Sequence, residues 1–348
     1  MNALASAHGL PAVQVHEGLA SGYRHRARLA VRGRARAPKI GIFREGTHEI
    51  VDIPNCPIHH PLINDIAREI KAELKDLQAP PYSDSAHAGL VRYLQIVVER
   101  SSQQAQLVLV TCADQYEPNA ALCHALEKRL GARLQGFAWN GNPDRHNAIL
   151  GPHWHQVMGK EATVEQIGGA QVFFPPGAFG QSHLGLYDRI VEQIHMWGKG
   201  ATRVVELYAG TGGLGLGLVQ RGAQVTFNEL ESASLTGLRM GIAVLAPDLQ
   251  VRTALAPGSA GDVASALCKN DIDLLIADPP RKGLEAGVLA ALTTQRPKRF
   301  IYLSCGIESF LRDAAALTTD AYALQSLEAY AMFPFTEHVE TLALFQSR

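Results

Sequence analysis

The sequence predicts an α/β chain, with a doubly wound, Rossmann-like sheet in the C-terminal half behind a smaller α+β module. Three observations predict it. From about residue 184 onward, segments of helix period and strand period alternate; within that stretch the apolar run 203–208 breaks into glycines at 210, 212 and 213; and before about residue 160 short strand-like runs predominate. At 348 residues the chain is long enough for two cores. The expected division is 1–170 and 171–348, with the boundary near 160–180.

Residues 23–55 read as short strands, and 62–74 carry the apolar spacing of a helix that Pro80 and Pro81 end. A hairpin is expected next, its strands 92–98 and 106–110 flanking Ser101–Ser–Gln–Gln104. A helix over 117–130, a strand at 133–139 and a turn at Asn140–Gly–Asn–Pro143 complete the module. The alternating part reads as helix 184–197, strand 203–208, helix 213–221, strand 224–228, helix 231–245, strand 272–277, helix 285–294, strand 299–304 and helix 307–317. Strands at 322–330 and 338–346 are expected to close the sheet as an antiparallel pair. The chain has no internal repeat and no low-complexity segment.

The glycine turn suits a nucleotide. Gly210, Gly212 and Gly213 let the backbone approach a ligand at a helix N-terminus, and Glu229, closing the next apolar run, can accept hydrogen bonds from two ribose hydroxyls. Such turns also serve as plain strand-to-helix connections. An acidic residue sixteen positions beyond Gly213, then Asp278–Pro–Pro–Arg281 and Ser304–Cys305, favour S-adenosylmethionine over a dinucleotide. A thiol and a carboxylate, Cys305 and Glu340, follow within the same C-terminal stretch. Uracil C5 is too poor a nucleophile to take a methyl group unaided, and a cysteine thiolate that first adds to C6 makes it one. The C5 proton must then leave before the thiol is expelled, which calls for a carboxylate base, and Glu340 is the candidate.

These motifs resemble the RNA uracil-C5 methyltransferase family, whose members form 5-methyluridine in transfer and ribosomal RNA. The resemblance runs through Phe179–Gly–Gln181, Glu206–Leu–Tyr–Ala–Gly210, Glu229, Asp278–Pro–Pro–Arg281–Lys–Gly283, Tyr302–Leu–Ser–Cys305, Arg312–Asp313 and Met332–Phe–Pro–Phe–Thr–Glu–His–Val–Glu340. More loosely it takes in Gly22–Tyr–Arg–His–Arg–Ala–Arg28 and Ile50–Val–Asp–Ile–Pro–Asn–Cys–Pro57, and so nearly the whole chain. It implies a class I methyltransferase domain behind an α+β RNA-binding domain, and tRNA or rRNA as partner. It also implies Cys305 as nucleophile, Glu340 as proton acceptor, and Phe179, Gln181, Asp278 and Arg281 at the uracil or the donor's sulfonium. Tyr208, Gly210, Gly212, Gly213, Glu229 and Asp262 would hold the donor. Three positions depart from the family pattern, with Gly213, Gly306 and His183 standing where asparagines are usual. Of the four cysteines that hold an iron–sulfur cluster in many relatives, only Cys56 has a counterpart, so no cluster is expected, nor the N-terminal oligonucleotide-binding barrel.

Composition narrows the remaining classes. With 47% hydrophobic and 19% charged residues, no apolar run of about eighteen and no N-terminal signal pattern, the expectation is a cytoplasmic, monomeric enzyme. Five cysteines without a Cys–x–x–Cys pair suggest neither disulfides nor zinc, and Cys56–Pro–Ile–His–His60 and His153–Trp–His155 lack a second ligand pair, so no metal is expected. A net charge of −1 argues against indiscriminate coating of nucleic acid. The basic residues cluster early. Arg24, Arg26 and Arg28, then Arg32, Arg34 and Arg36, recur at period two, so on strands each triplet shares a face that can hold RNA phosphates, with Ala27, Leu29 and Val31 opposite. Trp139 and Trp154 are either base-stacking platforms or core. Two other readings stay open: a cytosine-C5 nucleic-acid methyltransferase, and a catalytically idle RNA-binding or assembly paralogue.

Overall fold

Long-range contacts divide the chain into two units, which the computed structural model describes at residues 1–145, 147–269 and 271–348. The first unit comprises Met1–Ala20, Gln166–Phe174 and Ala178–Arg348, and the second Ser21–Glu165 with Pro175–Gly177. The first twenty residues, grouped by sequence with the N-terminal module, therefore pack in the larger unit. No helix among the described residues is long and apolar enough to cross a membrane.

The first unit is built on an eight-stranded sheet. Its order is Gln14–His16, Tyr322–Tyr330, Glu340–Ser347, Arg299–Ser304, Leu274–Ala277, Arg203–Leu207, Gln224–Glu229 and Thr253–Pro257. The five from Arg299–Ser304 to Thr253–Pro257 run parallel, whereas Glu340–Ser347 runs antiparallel to both its neighbours. Arg203–Leu207 has the next strand in sequence on one side and Leu274–Ala277 on the other. Winding reverses there, and such a switch point opens a crevice at the carboxyl ends of the strands. Two apolar cores cover the two faces, one around Ile190, Leu216, Phe227 and Ile276 and the other around Leu275, Phe300, Tyr302 and Phe310. The central strands are buried on both faces, which is why they read as continuous apolar runs rather than as alternation.

Most of the expected elements are present, and the differences have local causes. The strand expected over 203–208 stops at Leu207 because Tyr208 takes a left-handed φ of 57°. The helix expected from 213 is confined to Leu216–Gln220, the glycines ahead of it forming a turn. The edge strand Thr253–Pro257 and the helix Ala260–Leu267 carry too little apolar periodicity to be seen in the sequence. The hairpin Thr163–Ile167 to Ala170–Phe174 turns on Gly168 and Gly169, both at positive φ. The N-terminal strand Gln14–His16 is only three residues long and pairs parallel with Tyr322–Tyr330.

The second unit is a seven-stranded sheet in the order Ile50–Asp52, Ala37–Phe43, Arg26–Arg34, Val91–Val98, Ala105–Thr111, Leu134–Gly141 and His153–Gly159. Helices Pro61–Asp76 and Ala120–Leu130 bury Ile63, Ile66, Ile70, Leu122 and Leu126 in one core with Leu29, Val31, Leu94, Ile96 and Trp139. Ala27, Leu29 and Val31 thus face the core, as the period of two requires, and Trp139 is a core residue whose ring nitrogen donates to Thr111 Oγ1.

Candidate active site

The candidate reactive groups stand at the carboxyl ends of the central strands. Asp278 follows Leu274–Ala277, Cys305 follows Arg299–Ser304, and Glu340 opens the neighbouring antiparallel strand. Ser304 pairs in register with Thr341, so the next residue on one strand, Cys305, comes beside the preceding residue on the other, Glu340. Glu340 is 3% exposed, and its Oε2 has no hydrogen-bond partner among the described residues. Burial pushes its carboxyl up to about 7, against the pull of Arg281. Burial and the charge of Glu340 hold Asp278 well above the carboxylate range, the behaviour of two carboxyls that cannot both ionise freely. The half-buried Cys305 thiol is raised by its burial and then by Glu340 and Asp278, with Arg281 opposing. Four residues singled out in the sequence therefore act on one another through their charges.

The loop after Asp278 is braced from below. Asp313, fully buried, accepts hydrogen bonds from the Leu284 amide at 2.9 Å, the Tyr302 hydroxyl at 2.8 Å and the Arg312 guanidinium, while Arg312 also donates to the Lys282 carbonyl. A Cβ on Gly283 would lie 2.4 Å from Asp313 Oδ2, so this turn tolerates no side chain there.

The glycine turn has the shape a donor needs. Gly210 and Gly212 adopt φ of 56° and 85°, and open space lies where a Cβ of Gly210 would point. Glu229 accepts the Gly210 amide on one oxygen and the Leu230 and Glu231 amides on the other, each at 2.7 Å. It is thus a brace of the turn, a role the sequence did not reveal. Tyr208 donates to Glu285 Oε1 at 3.1 Å and Ser259 to Glu285 Oε2 at 2.6 Å, tying the strand end to two flanking loops. Asp262 is exposed on the first turn of Ala260–Leu267. Phe179 is 66% exposed, and Gln181 is half-buried two residues on.

Each departure from the family pattern has a local replacement. A Cβ at Gly213 would meet the Tyr187 hydroxyl at 2.4 Å, so that ring already fills the place a side chain would take. Tyr187 is buried beside the charges of Asp278 and Glu206. A Cβ at Gly306 would meet the Arg281 carbonyl and Ser309 Oγ, both at 2.7 Å, and Ser309 donates to that carbonyl. His183 caps helix Leu184–Trp197 by accepting the Leu186 amide on Nδ1, and its Nε2 donates to the Leu19 carbonyl. Tyr187, Ser309 and His195, whose Nε2 donates to the Leu214 carbonyl of the turn, carried no signal in the sequence. Each lies on a helix whose apolar pattern explains it without a role.

The arginine series belongs to the second unit and does not act as one face. Arg32 is 5% exposed, paired with Asp84 through two hydrogen bonds and donating further to the Val31 and Arg92 carbonyls and the Tyr93 hydroxyl. It has no donor to spare for a phosphate, which corrects that expectation. Arg26 is half-buried within the field of Glu165, and Arg24 is half-buried ahead of the strand. Arg28, Arg34 and Arg36 are exposed. Among the described residues no group of His, Cys, Asp and Glu could hold a metal ion. His60 caps the helix Pro61–Asp76, and His155 stacks on Tyr116 at 3.7 Å.

A parallel sheet wound about one switch point, extended by an antiparallel pair and carrying this glycine turn and acidic strand end, defines a class I methyltransferase. The same fold is seen in the tRNA (uracil-54, C5)-methyltransferase of Pyrococcus abyssi, solved with S-adenosyl-L-homocysteine, at a TM-score of 0.80 over 99% of this chain and 81% of that one, with 22% identity. An RNA methyltransferase of Protochlamydia amoebophila is 33% identical over 95% of this chain and 88% of its own length. Another, from Geobacter sulfurreducens, is 31% identical over 92% of this chain and 65% of its own. The chain belongs to this family of RNA methyltransferases. No protein-family model matches it.

Proposed function

We propose that the protein methylates C5 of a uridine in RNA, with S-adenosylmethionine as donor. The observation that carries this reading is the meeting of Cys305, Asp278, Arg281 and Glu340 at the carboxyl ends of the central strands, with a buried Glu340 oxygen that lacks a partner among the described residues. The uridine-modifying neighbour from Pyrococcus abyssi supports it. The open glycine turn at Gly210 and the Glu229 carboxylate fit the donor, with Tyr208 and Asp262 at its margins. When bound, the donor supplies an electrophilic methyl group. Cys305, as thiolate, adds to C6 and makes C5 nucleophilic; after methylation Glu340 takes the C5 proton and the thiolate departs. Arg281 opposes the rise in both pKa values, so it favours the charged forms this sequence of steps uses. Phe179 and Gln181 flank the uracil, the first by stacking and the second by hydrogen bonds.

The adduct is the test. RNA transcribed with 5-fluorouridine has no C5 proton to release, so incubation of tRNA or rRNA of that kind with enzyme and donor should leave a protein–RNA band that survives denaturant. The Cys305→Ala variant should give neither band nor methylation. Methyl transfer by Cys305→Ala would falsify the covalent mechanism. Donor binding without turnover on any RNA would instead support the idle paralogue.

A further inference from the structure

The second unit contains a hollow that no part of the proposed reaction uses. On one face of the sheet, Ala30 pairs in register with Gly41 on one side and with Tyr93 on the other. Ala30 offers only a methyl group there, and a space of 320 Å³ opens among Arg28, Phe43, His48 and Tyr93, while the Val51 carbonyl occupies the place a side chain on Gly41 would take. That volume is at the small end for ligand pockets, roughly 300–1,000 Å³, so it accepts a single ring system rather than a cofactor.

The hollow is built rather than incidental. The Arg32 guanidinium lies 5.1 Å from the centre of the Phe43 ring and 5.0 Å from that of Tyr93, and donates to the Tyr93 hydroxyl. Asp84 neutralises it through two hydrogen bonds. A buried, fully engaged arginine therefore fixes two aromatic rings, one of which, Phe43, packs edge-on against His48 at 5.7 Å. On the rim Arg28 adds an exposed positive charge, held by Gln95 Oε1 and the Gly177 carbonyl. Aromatic walls, hydrogen-bonding edges and a cation at the mouth match the chemistry of one nucleotide, with its π-face, its base edge and its phosphate.

We infer that this hollow receives an unpaired nucleobase of the RNA substrate, at a site separate from the one that holds the reacting uridine. The inference rests on RNA as substrate and not on the uridine chemistry. The bland alternative is a packing fault, but such a fault would not place an engaged guanidinium behind both walls.

Photocrosslinking tests it without turnover. A short single-stranded RNA of mixed sequence carrying 4-thiouridine is irradiated with the full chain, and the linked peptides are mapped by mass spectrometry. Crosslinks should fall on the peptides containing Phe43 or Tyr93. Phe43→Leu should abolish them and weaken binding of the same RNA, read by fluorescence anisotropy, by roughly tenfold, the loss expected for one stacked base. Tyr93→Phe, which keeps the ring, should bind within about twofold of the parent. If crosslinks fall only on other peptides of the unmodified chain, the site does not exist, and that result stands even if Phe43→Leu fails to fold. Equal affinity of a folded Phe43→Leu variant also overturns it. Loss of methylation with the crosslinks intact would count against the proposed reaction alone.

Discussion

At the scale of single residues, Glu340, as the proposed base, would link stability to activity. Its carboxyl is raised from 4.5 to about 7 by burial, so between those values the folded protein holds a proton that the unfolded chain has released. Stability therefore falls as pH rises through that window, by on the order of 3 kcal/mol at most, and stays low above it. Glu340→Gln removes this titration. The variant should be more resistant to urea than the parent at pH 8, with the difference closing toward pH 5. The same variant should bind RNA and donor yet accumulate the covalent adduct on natural uridine, because nothing takes the C5 proton. A Gln variant that turns over normally would place the base elsewhere. In the parent, the rate should rise with pH through about 7 as Glu340 ionises. A second residue-scale prediction concerns Gly213 and Tyr187. Gly213→Ala forces its methyl onto the Tyr187 hydroxyl and should cost about 1–3 kcal/mol, as overpacked sites do. In a Tyr187→Phe background the nearest ring carbons lie at 3.3 Å, and most of that cost should vanish. Additive losses in the double-mutant cycle would show that the two positions do not share one space.

At the scale of elements, the site was legible wherever chemistry and a strand end coincide, and illegible wherever support comes from behind. Cys305, Asp278 and Glu340 stand in motifs whose residue types have few other uses, and their strands announce themselves as apolar runs. Asp313 gave a weaker signal: an acidic residue on a helix reads as solvated until the fold turns it inward. The arginine strand shows the opposite failure. Its period of two correctly put Ala27, Leu29 and Val31 in the core, but the other face was expected to hold RNA phosphates throughout, and periodicity does not say what covers a face. The short edge strand Thr253–Pro257 and the N-terminal strand Gln14–His16 escaped because pairing, not propensity, makes them strands. The brace itself makes a prediction. Asp313→Ala leaves Tyr302, the Leu284 amide and Arg312 without their shared acceptor and should destabilise the protein by about 3–5 kcal/mol. Asp313→Asn keeps the shape and should cost less. Urea unfolding of the two variants distinguishes a brace, which ranks them in that order, from a merely buried carboxyl.

At the scale of the whole molecule, a net charge of −1 leaves no general field to attract RNA. Affinity must come from local clusters, and the second unit offers one at the exposed end of a hairpin. Arg34 pairs in register with Ala37, Arg36 lies in the turn between the strands, and Arg28 stands further back on the same strand, all three exposed. Arg32, between them in sequence, is engaged inside the protein with Asp84. Replacing Arg28, Arg34 and Arg36 with glutamine should therefore weaken RNA binding and flatten the dependence of log affinity on log salt, by about 0.7–0.9 for each phosphate that is no longer neutralised. Donor affinity, measured by calorimetry on the same protein, should not change, because the donor turn lies in the other unit. Arg32→Gln should behave differently: it exposes Asp84 and loosens Phe43 and Tyr93, so it lowers stability while leaving the salt slope nearly as it was. An unchanged slope in the triple variant would mean that the hairpin does not hold phosphates and that RNA is held by basic residues elsewhere, Arg281 and Lys282 beside the site being the first to replace.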